Sequence, residues 1–386
     1  MITSTQFTIA VFGHHINLIE LIFLSLALFF ACWQIALHYL YFLKFTQFQS
    51  SKRNMHNSQA VSLIICVKNE KENLKINLPA ILEQDYPNFE VIVVNDASWD
   101  GTEEILAFFT EQYSHLRVVE IKEDIKRIAG KKFPLTMGIK AAKNEILLLT
   151  DGDCRPTSKH WIAKMVSPYN DPKIEIVLGY SPYRYKAGLL NLLIRAETSL
   201  TAMLYLSFAL KGIPYMGVGR NLSYKRELFF KHKGFASHHH IPSGDDDLFV
   251  RDAATSTNVA VVLSPESRML SEPKLTFKQW YIQKKRHLFV GRFYHSDIKR
   301  KLTSFSGSHF FFWIAVLGLC FFSSQLWIPI AIILGRWILQ APIVALSFKK
   351  LGHNMLAYLM PLLDIAFLFY TIFGGLVYLF SKKPKW

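Results

Sequence analysis

Ile146-Leu147-Leu148-Leu149-Thr150-Asp151-Gly152-Asp153-Cys154 decides the fold, because an unbroken apolar run leads directly into two carboxylates one residue apart. A short apolar run followed by Asp-x-Asp is the pattern of a central strand entering a loop at the carboxyl end of an open α/β sheet, where such folds bind ligands. Alternate residues of an extended chain point the same way, so Asp151 and Asp153 can aim at one point. Hard oxygens on one short loop suit Mg²⁺ or Mn²⁺ bridging to a diphosphate, since magnesium takes few protein carboxylates and fills its shell with phosphate oxygens and water. Alone, such a motif is more often a solvated acidic turn; its weight comes from the rest of the chain.

Upstream, Val61 to Val67 is expected as a strand. Lys68-Asn69-Glu70 opens a helix carrying Leu74, Leu78 and Leu82, and Asp85-Tyr86-Pro87 breaks it before a second strand, Phe89 to Val94. This is a β-α-β unit. The second strand runs into the acid-rich turn Asn95 to Thr102, and Arg117 to Ile121 makes a further short strand. Alternating strands and helices imply a mostly parallel sheet, whose crevice gathers Glu70, Asp96, Asp151 and Asp153.

The ends of the 386-residue chain are of another character. Ile16 to Leu43 holds no Lys or Arg and one acid, Glu20. As a helix it would be about 42 Å long, enough to cross a hydrocarbon core of roughly 30 Å, and it is expected as a retained anchor. Phe305 to Phe322, Leu326 to Phe348 and Met355 to Phe380 are three more such stretches. The division is therefore 1–50 (tail and first membrane helix), 51–300 (one α/β domain) and 301–386 (membrane helices).

Lys44, Lys52, Arg53 and Lys299 to Lys301 flank the central domain and place it in the cytoplasm, at a cell membrane expected to be the bacterial inner membrane. The basic tail Lys382 to Lys385 can share that side only if one of the last three stretches is re-entrant or interfacial. Arg336 and Asp364 fall near the middle of their stretches and are expected to pair across helices. Leu189 to Leu210, broken by Arg195 and Glu197, is expected as a core or interface helix.

The formal charge is +15, with basic blocks at Lys122 to Lys132 and Lys278 to Arg292. Aromatic RNA-binding signatures are missing, so membrane lipid headgroups and a diphosphate substrate account for the excess better than nucleic acid. Four cysteines without Cys-x-x-Cys suggest neither a disulfide framework nor zinc. The run His238-His239-His240 suits a loop better than a three-ligand metal site.

Six segments come in an order that resembles glycosyltransferase family 2, above all its membrane-embedded members such as cellulose synthase, hyaluronan synthase and ceramide glucosyltransferase. They are Lys68-Asn69-Glu70; Asn95 to Thr102; Lys131-Lys132 with Leu135 to Gly138; Asp151-Gly152-Asp153; Gly244-Asp245-Asp246-Asp247-Leu248; and Gln283-Lys284-Lys285-Arg286-His287. The resemblance covers about residues 58 to 300. It implies a GT-A fold that takes a nucleotide-sugar donor, most simply UDP-linked, and inverts the anomeric centre on transfer to a lipid-linked or polysaccharide acceptor.

Carried over by motif, Glu70 and Asp96 would contact the base and ribose, although the family's double acid is here Asn95-Asp96. For Glu70 alone, a helix-start carboxylate explains the residue as well. Lys131 or Lys132 would lie along the diphosphate, with Asp151 and Asp153 holding the metal. Asp245 would be the general base, with Asp246 as the alternative, while a charged first helix turn capped by Ser243 is the plainer explanation of three adjacent acids. Gln283 and Arg286 share a helix face and Arg286 would grip the pyrophosphate, or the segment is simply a basic helix on the membrane surface. His287 stands where the family has a Trp against an acceptor sugar, and Gly217 and Gly219 where it has a small-residue acceptor loop, which an ordinary turn would equally explain. Rival functions are a non-catalytic membrane-anchored binding module or translocation-complex subunit, and a nucleotidyl- or sugar-phosphate transferase.

Overall fold

A computed structural model describes residues 8–11, 14–50, 59–122 and 130–380, with side chains of 8–16 left aside. The basic positions at 52–53, 123–129 and 382–385, on which part of the charge argument rests, lie outside the described residues. Chain contacts divide the described residues into two units, those up to Thr46 with His295–Leu379, and those of Gln47–Tyr294.

The first unit begins with a short antiparallel hairpin, β1 (Thr8–Val11) and β2 (His14–Asn17), and continues into α1 (Leu18–Gln47). It resumes with α10 (Ser296–Phe322), α11 (Trp327–Leu351), α12 (Asn354–Tyr358) and α13 (Met360–Phe380). α1, α10, α11 and α13 are each long and apolar enough to cross a membrane, and many of their large apolar side chains face outward. Inside, Arg336 and Asp364 form the expected ion pair; Arg336 is in the middle of α11, whereas Asp364 lies near the start of α13, because the stretch from Met355 is split between α12 and α13. Arg336 also donates from Nη1 to Gln34 Oε1 (2.6 Å) and lies over the Phe312 ring, while His309 Nε2 is 3.1 Å from Asp364 Oδ1. A charge that cannot reach water is thus given partners from α1, α10 and α13.

The second unit is built on a seven-stranded sheet in the order β10-β8-β9-β6-β3-β4-β5. Its strands are β3 (Val61–Val67), β4 (Phe89–Asp96), β5 (Leu116–Ile121), β6 (Ile146–Asp151), β8 (Ile176–Leu178), β9 (Leu222–Lys225) and β10 (Val259–Val261). β3 to β6 are mutually parallel, and β9 runs antiparallel to both β6 and β8. β7 (Cys154–Pro156) pairs with β11 (Met269–Ser271) in a separate ribbon. The sheet interior is apolar on both faces, as a parallel sheet covered by helices requires, with Leu63, Ile65, Val91, Val93 and Leu148 buried on one face and Ile64, Ile92 and Leu149 on the other.

The covering helices are α2 (Lys71–Leu82), α3 (Thr102–Gln112), α4 (Lys132–Ala141), α5 (Trp161–Val166), α6 (Leu189–Leu210), α7 (Arg226–Lys231), α8 (Asp247–Ala253) and α9 (Phe277–Gly291). α6 is the fifth helix with the length and composition of a membrane span. It is tied into this unit by Tyr205 Oη donating to Gly179 O (2.7 Å) and by a buried ion pair between Glu197 and Lys284 of α9. Both charges that interrupt its apolar pattern have partners: Glu197 pairs with Lys284, and the Arg195 guanidinium lies over the Tyr185 ring.

Candidate functional site

The carboxyl ends of β3, β4 and β6 carry the first acids. Two of the loops there are braced against each other. Asn69 N–H donates to Ser98 Oγ (2.9 Å), Trp99 N–H to Asn69 Oδ1 (3.0 Å), Glu70 N–H to Thr102 Oγ1 (3.1 Å) and Lys71 N–H to Asp100 Oδ2 (3.0 Å). Asn69 and Ala97 hold positive φ, 58° and 50°, which for a residue with a Cβ persists only where its surroundings fix it. The Lys-Asn-Glu and Asn-Asp-Ala-Ser-Trp-Asp-Gly-Thr segments are thus one construction. Asn95, which stands where a second acid was expected, donates to Glu120 Oε2 (2.8 Å) on β5, its cross-strand neighbour. Asp96 is buried at the end of β4.

Asp151, Asp153 and Cys154 bring one ligand atom each within 4.8 Å of one another, the one such group among the described residues. Cys154 is buried, its thiol pushed up by burial and by the two acids, and it donates to Asp153 Oδ1 (3.2 Å). The two carboxylates are hard oxygen donors, and that pair fits Mg²⁺ or Mn²⁺, which prefer oxygen to a soft sulfur. Burial and the neighbouring Asp151 raise the Asp153 carboxyl; for Asp151 burial is outweighed by Lys131, whose ammonium ion-pairs with it and lowers its pKa. Glu70 is raised by burial and by Asp153, so it belongs to the same acidic cleft. The Lys131 ammonium is opposed by burial but held well above its usual value by Asp151 and Asp245.

Asp245 joins from the other side, in the loop before α8. Burial and the adjacent Asp246 push its carboxyl up to about 6, against the pull of Lys131. Its two neighbours are committed elsewhere. Asp246 accepts from Gly219 N–H (2.7 Å) and Asp247 N–H (2.8 Å), so it caps α8 and holds the 219 turn; Asp247 is buried and accepts from Tyr294 Oη (3.0 Å). Arg286, on α9, is lowered by burial and raised by Asp245 and Tyr183, which puts it beside the same cleft, and Gln283 Nε2 donates to Tyr183 Oη (3.1 Å).

Three expectations are corrected. Lys132 does not lie along a diphosphate: it is buried and donates to His238 O (2.7 Å) and Ile241 O (2.9 Å), because the helix start turns it about 100° away from Lys131. Gly217 does not open a path to a sugar, since a Cβ there would meet Val250, Leu222 and Leu178 at 3.0 to 3.3 Å, inside the core. Gly219 faces Asp246 rather than a ligand. His287 is exposed on α9, and His238 is buried beside Lys132 with its ring kept neutral by burial, its pKa about 4. Sequence alone gave no role to Arg220, in the Gly219 turn, or to Lys274, whose charges act on Asp151 and Asp153, nor to Tyr183, whose ring lies against Arg220.

Comparison with known proteins bears on this cleft. Residues 62–232 match the model of Glycosyl transferase family 2. The chain is 35% identical over 130 residues to the Glycosyltransferase AglE of Haloferax volcanii, covering 33% of this chain and 41% of the relative. It is 27% identical over 162 residues to the poly-beta-1,6-N-acetyl-D-glucosamine synthase of Staphylococcus epidermidis, covering 41% of this chain and 38% of that one. The chain thus spans about two fifths of the length of these curated relatives. A mannosyltransferase from Pyrobaculum calidifontis, solved in complex with GDP-Man and Mn²⁺, superposes with a TM-score of 0.60 at 19% identity, over 93% of this chain and 99% of that one. The fold of the second unit is GT-A-like.

Proposed function

We propose, starting from the glycosyl transferase family 2 domain in this chain, that the protein transfers a sugar from a nucleotide-diphosphate donor to a hydroxyl of a lipid-linked or polysaccharide acceptor at the cytoplasmic face of a membrane, with inversion. The observation that carries this is the meeting of two hard carboxylates, a half-buried lysine and a carboxyl raised to about 6 in one cleft at the strand ends.

In this reading Glu70 and Asp96 accept from the base and ribose. Asp151 and Asp153 hold a divalent ion, which supplies charge neutralisation to the diphosphate when bound. Lys131 is already fixed beside Asp151, and Arg286 is near enough to Asp245 to feel its charge, so both cations would meet the negative charge that grows on the leaving group. Asp245 takes the acceptor hydroxyl proton as that oxygen bonds to the anomeric carbon; the bond to the diphosphate breaks and its electron pair leaves with the phosphate. A carboxyl near 6 is ionised at neutral pH yet more basic than an ordinary aspartate, which suits the task. Asp246 is spent on two backbone N–H groups, and that supports Asp245 over it. Acceptor contacts are assigned to His287, exposed on α9.

The test is purified protein in lipid with Mn²⁺ and a panel of UDP- and GDP-sugars, reading the nucleotide released. The expected product is a nucleoside diphosphate. Pyrophosphate or a nucleoside monophosphate would instead identify a nucleotidyl- or sugar-phosphate transferase. No release with any donor, together with undiminished donor binding in Asp153→Ala, would leave a binding module.

A further inference from the structure

Arg220 has no task in the scheme above, yet the fold fixes it on both sides. Before it, Gly219 N–H is held by Asp246 Oδ2 at 2.7 Å. After it, the fully buried Asn221 accepts from Trp161 Nε1 (2.9 Å) and donates to Tyr180 O (2.8 Å) and Ser267 O (2.9 Å). A short polar side chain with three buried hydrogen bonds permits no rotation of the turn. The antiparallel register of β6 and β9 pairs Leu149 with Leu222, and the 3-10 turn Gly219–Asn221 that leads into β9 packs against β6, whose last residue is Asp151.

The side chain is aimed as well as the backbone. The guanidinium lies 4.4 Å from the centroid of the Tyr183 ring, and that ring is held by Gln283 Nε2 on its hydroxyl and by a bridge to Ser271, the strand partner of Cys154. Stacking occupies the face of the guanidinium and leaves its edges for in-plane N–H bonds. Its Nη1 is buried and has no hydrogen-bond partner among the described residues. Asp151 is already ion-paired with Lys131, so charge balance on that carboxylate does not account for a second, separately fixed cation.

A planar fork of donors, immobilised beside two carboxylates that suit a divalent ion, is complementary to the oxygens of a diphosphate. We infer that Arg220 is a diphosphate-binding residue of the donor site, held by Tyr183 and by the Gly219 and Asn221 anchors so that it grips the leaving group as the bond to the sugar breaks. The inference rests on the sugar-transfer reading and adds a contact that reading does not contain. It also gives Gln283 a positioning role: it holds Tyr183, and through Tyr183 the arginine.

The experiment uses the full chain in lipid nanodiscs with Mn²⁺, titrated with UDP and GDP by calorimetry and with uridine and guanosine by saturation-transfer NMR. For whichever base the wild type prefers, Arg220→Gln is expected to weaken diphosphate binding ~10- to 100-fold, as loss of a charged hydrogen bond implies, and to leave the nucleoside within about threefold. Arg220→Lys, which keeps the charge and the fold, is expected to fall between. Mn²⁺ alone should bind as tightly or more tightly in Arg220→Gln, since a cation beside its ligands is gone. Equal losses for diphosphate and nucleoside would mean that Arg220 only shapes the cleft, and unchanged diphosphate binding in both variants would mean that it touches no phosphate; either overturns the inference alone. A wild type that binds neither diphosphate overturns the sugar-transfer reading and this inference with it.

Discussion

Removing one partner of the Arg336–Asp364 pair should cost far more than removing both. The Arg336 side chain is 0% exposed and that of Asp364 12%, so neither charge can be screened by water once its partner is gone. Asp364→Leu strands a guanidinium whose remaining partners are Gln34 Oε1 and the Phe312 ring; Arg336→Leu strands a carboxylate left with His309 and with Trp337 Nε1 at 3.2 Å. Each single change is expected to destabilise by about 3–5 kcal/mol, the usual penalty for an uncompensated buried charge. In the double leucine variant no bare charge remains, and the loss should fall to about 1–3 kcal/mol, that of leaving Gln34, His309 and Trp337 short of partners. The pair is thus worth several kcal/mol of coupling in a double-mutant cycle. Unfolding of the four proteins in nanodiscs, followed by thermal shift and by denaturant titration, measures it. Losses that simply add, with the double variant worse than either single one, would refute the claim that the two charges neutralise each other.

Two further outcomes follow from the site and its frame. Asp245→Asn should lower turnover by roughly 10²–10⁴-fold, and wild-type kcat/KM should climb with pH through about 6, because the base works only when ionised and burial makes it hold its proton up to that pH; an initial-rate profile from pH 5 to 8 checks this, and a flat profile argues against Asp245. Gly179→Ala should destabilise the second unit by about 1–3 kcal/mol in a thermal-shift measurement, since a Cβ at that position would stand 2.5 Å from Asn221 Nδ2 and 2.8 Å from Met165 Sδ.

Much of this structure was legible in the chain, for physical reasons. Buried parallel strands need apolar side chains on both faces, so Val61–Val67, Phe89–Asp96 and Ile146–Asp151 announce themselves, and the acids at their ends fall where the fold collects ligands. An unpaired charge in a helix long and apolar enough to cross a membrane is so unfavourable that Arg336 and Asp364 could be matched from the sequence. What stayed hidden depends on pairings between distant segments. Which of Lys131 and Lys132 faces the cleft is set by the phase of α4, and which of Asp245 and Asp246 is available is set by the Gly219 N–H, 27 residues away. Arg220 reaches the acids only through the register of β9 on β6, from strands some seventy residues apart, and no local pattern encodes that register. The glycines at 217 and 219 show the opposite error: a resemblance supplied a role that the packing of Val250, Leu222 and Asp246 takes for itself.

All of the chemistry proposed here requires the acids after β6 to hold a cation against a bound diphosphate. Electron–nuclear double resonance of Mn²⁺ added with UDP or GDP to the nanodisc-embedded protein reads that contact directly. The expected result is a ³¹P hyperfine coupling on protein-bound manganese, lost in Asp153→Ala while the protein stays folded. Manganese that binds with no phosphorus coupling, or a coupling indifferent to Asp153, would contradict it.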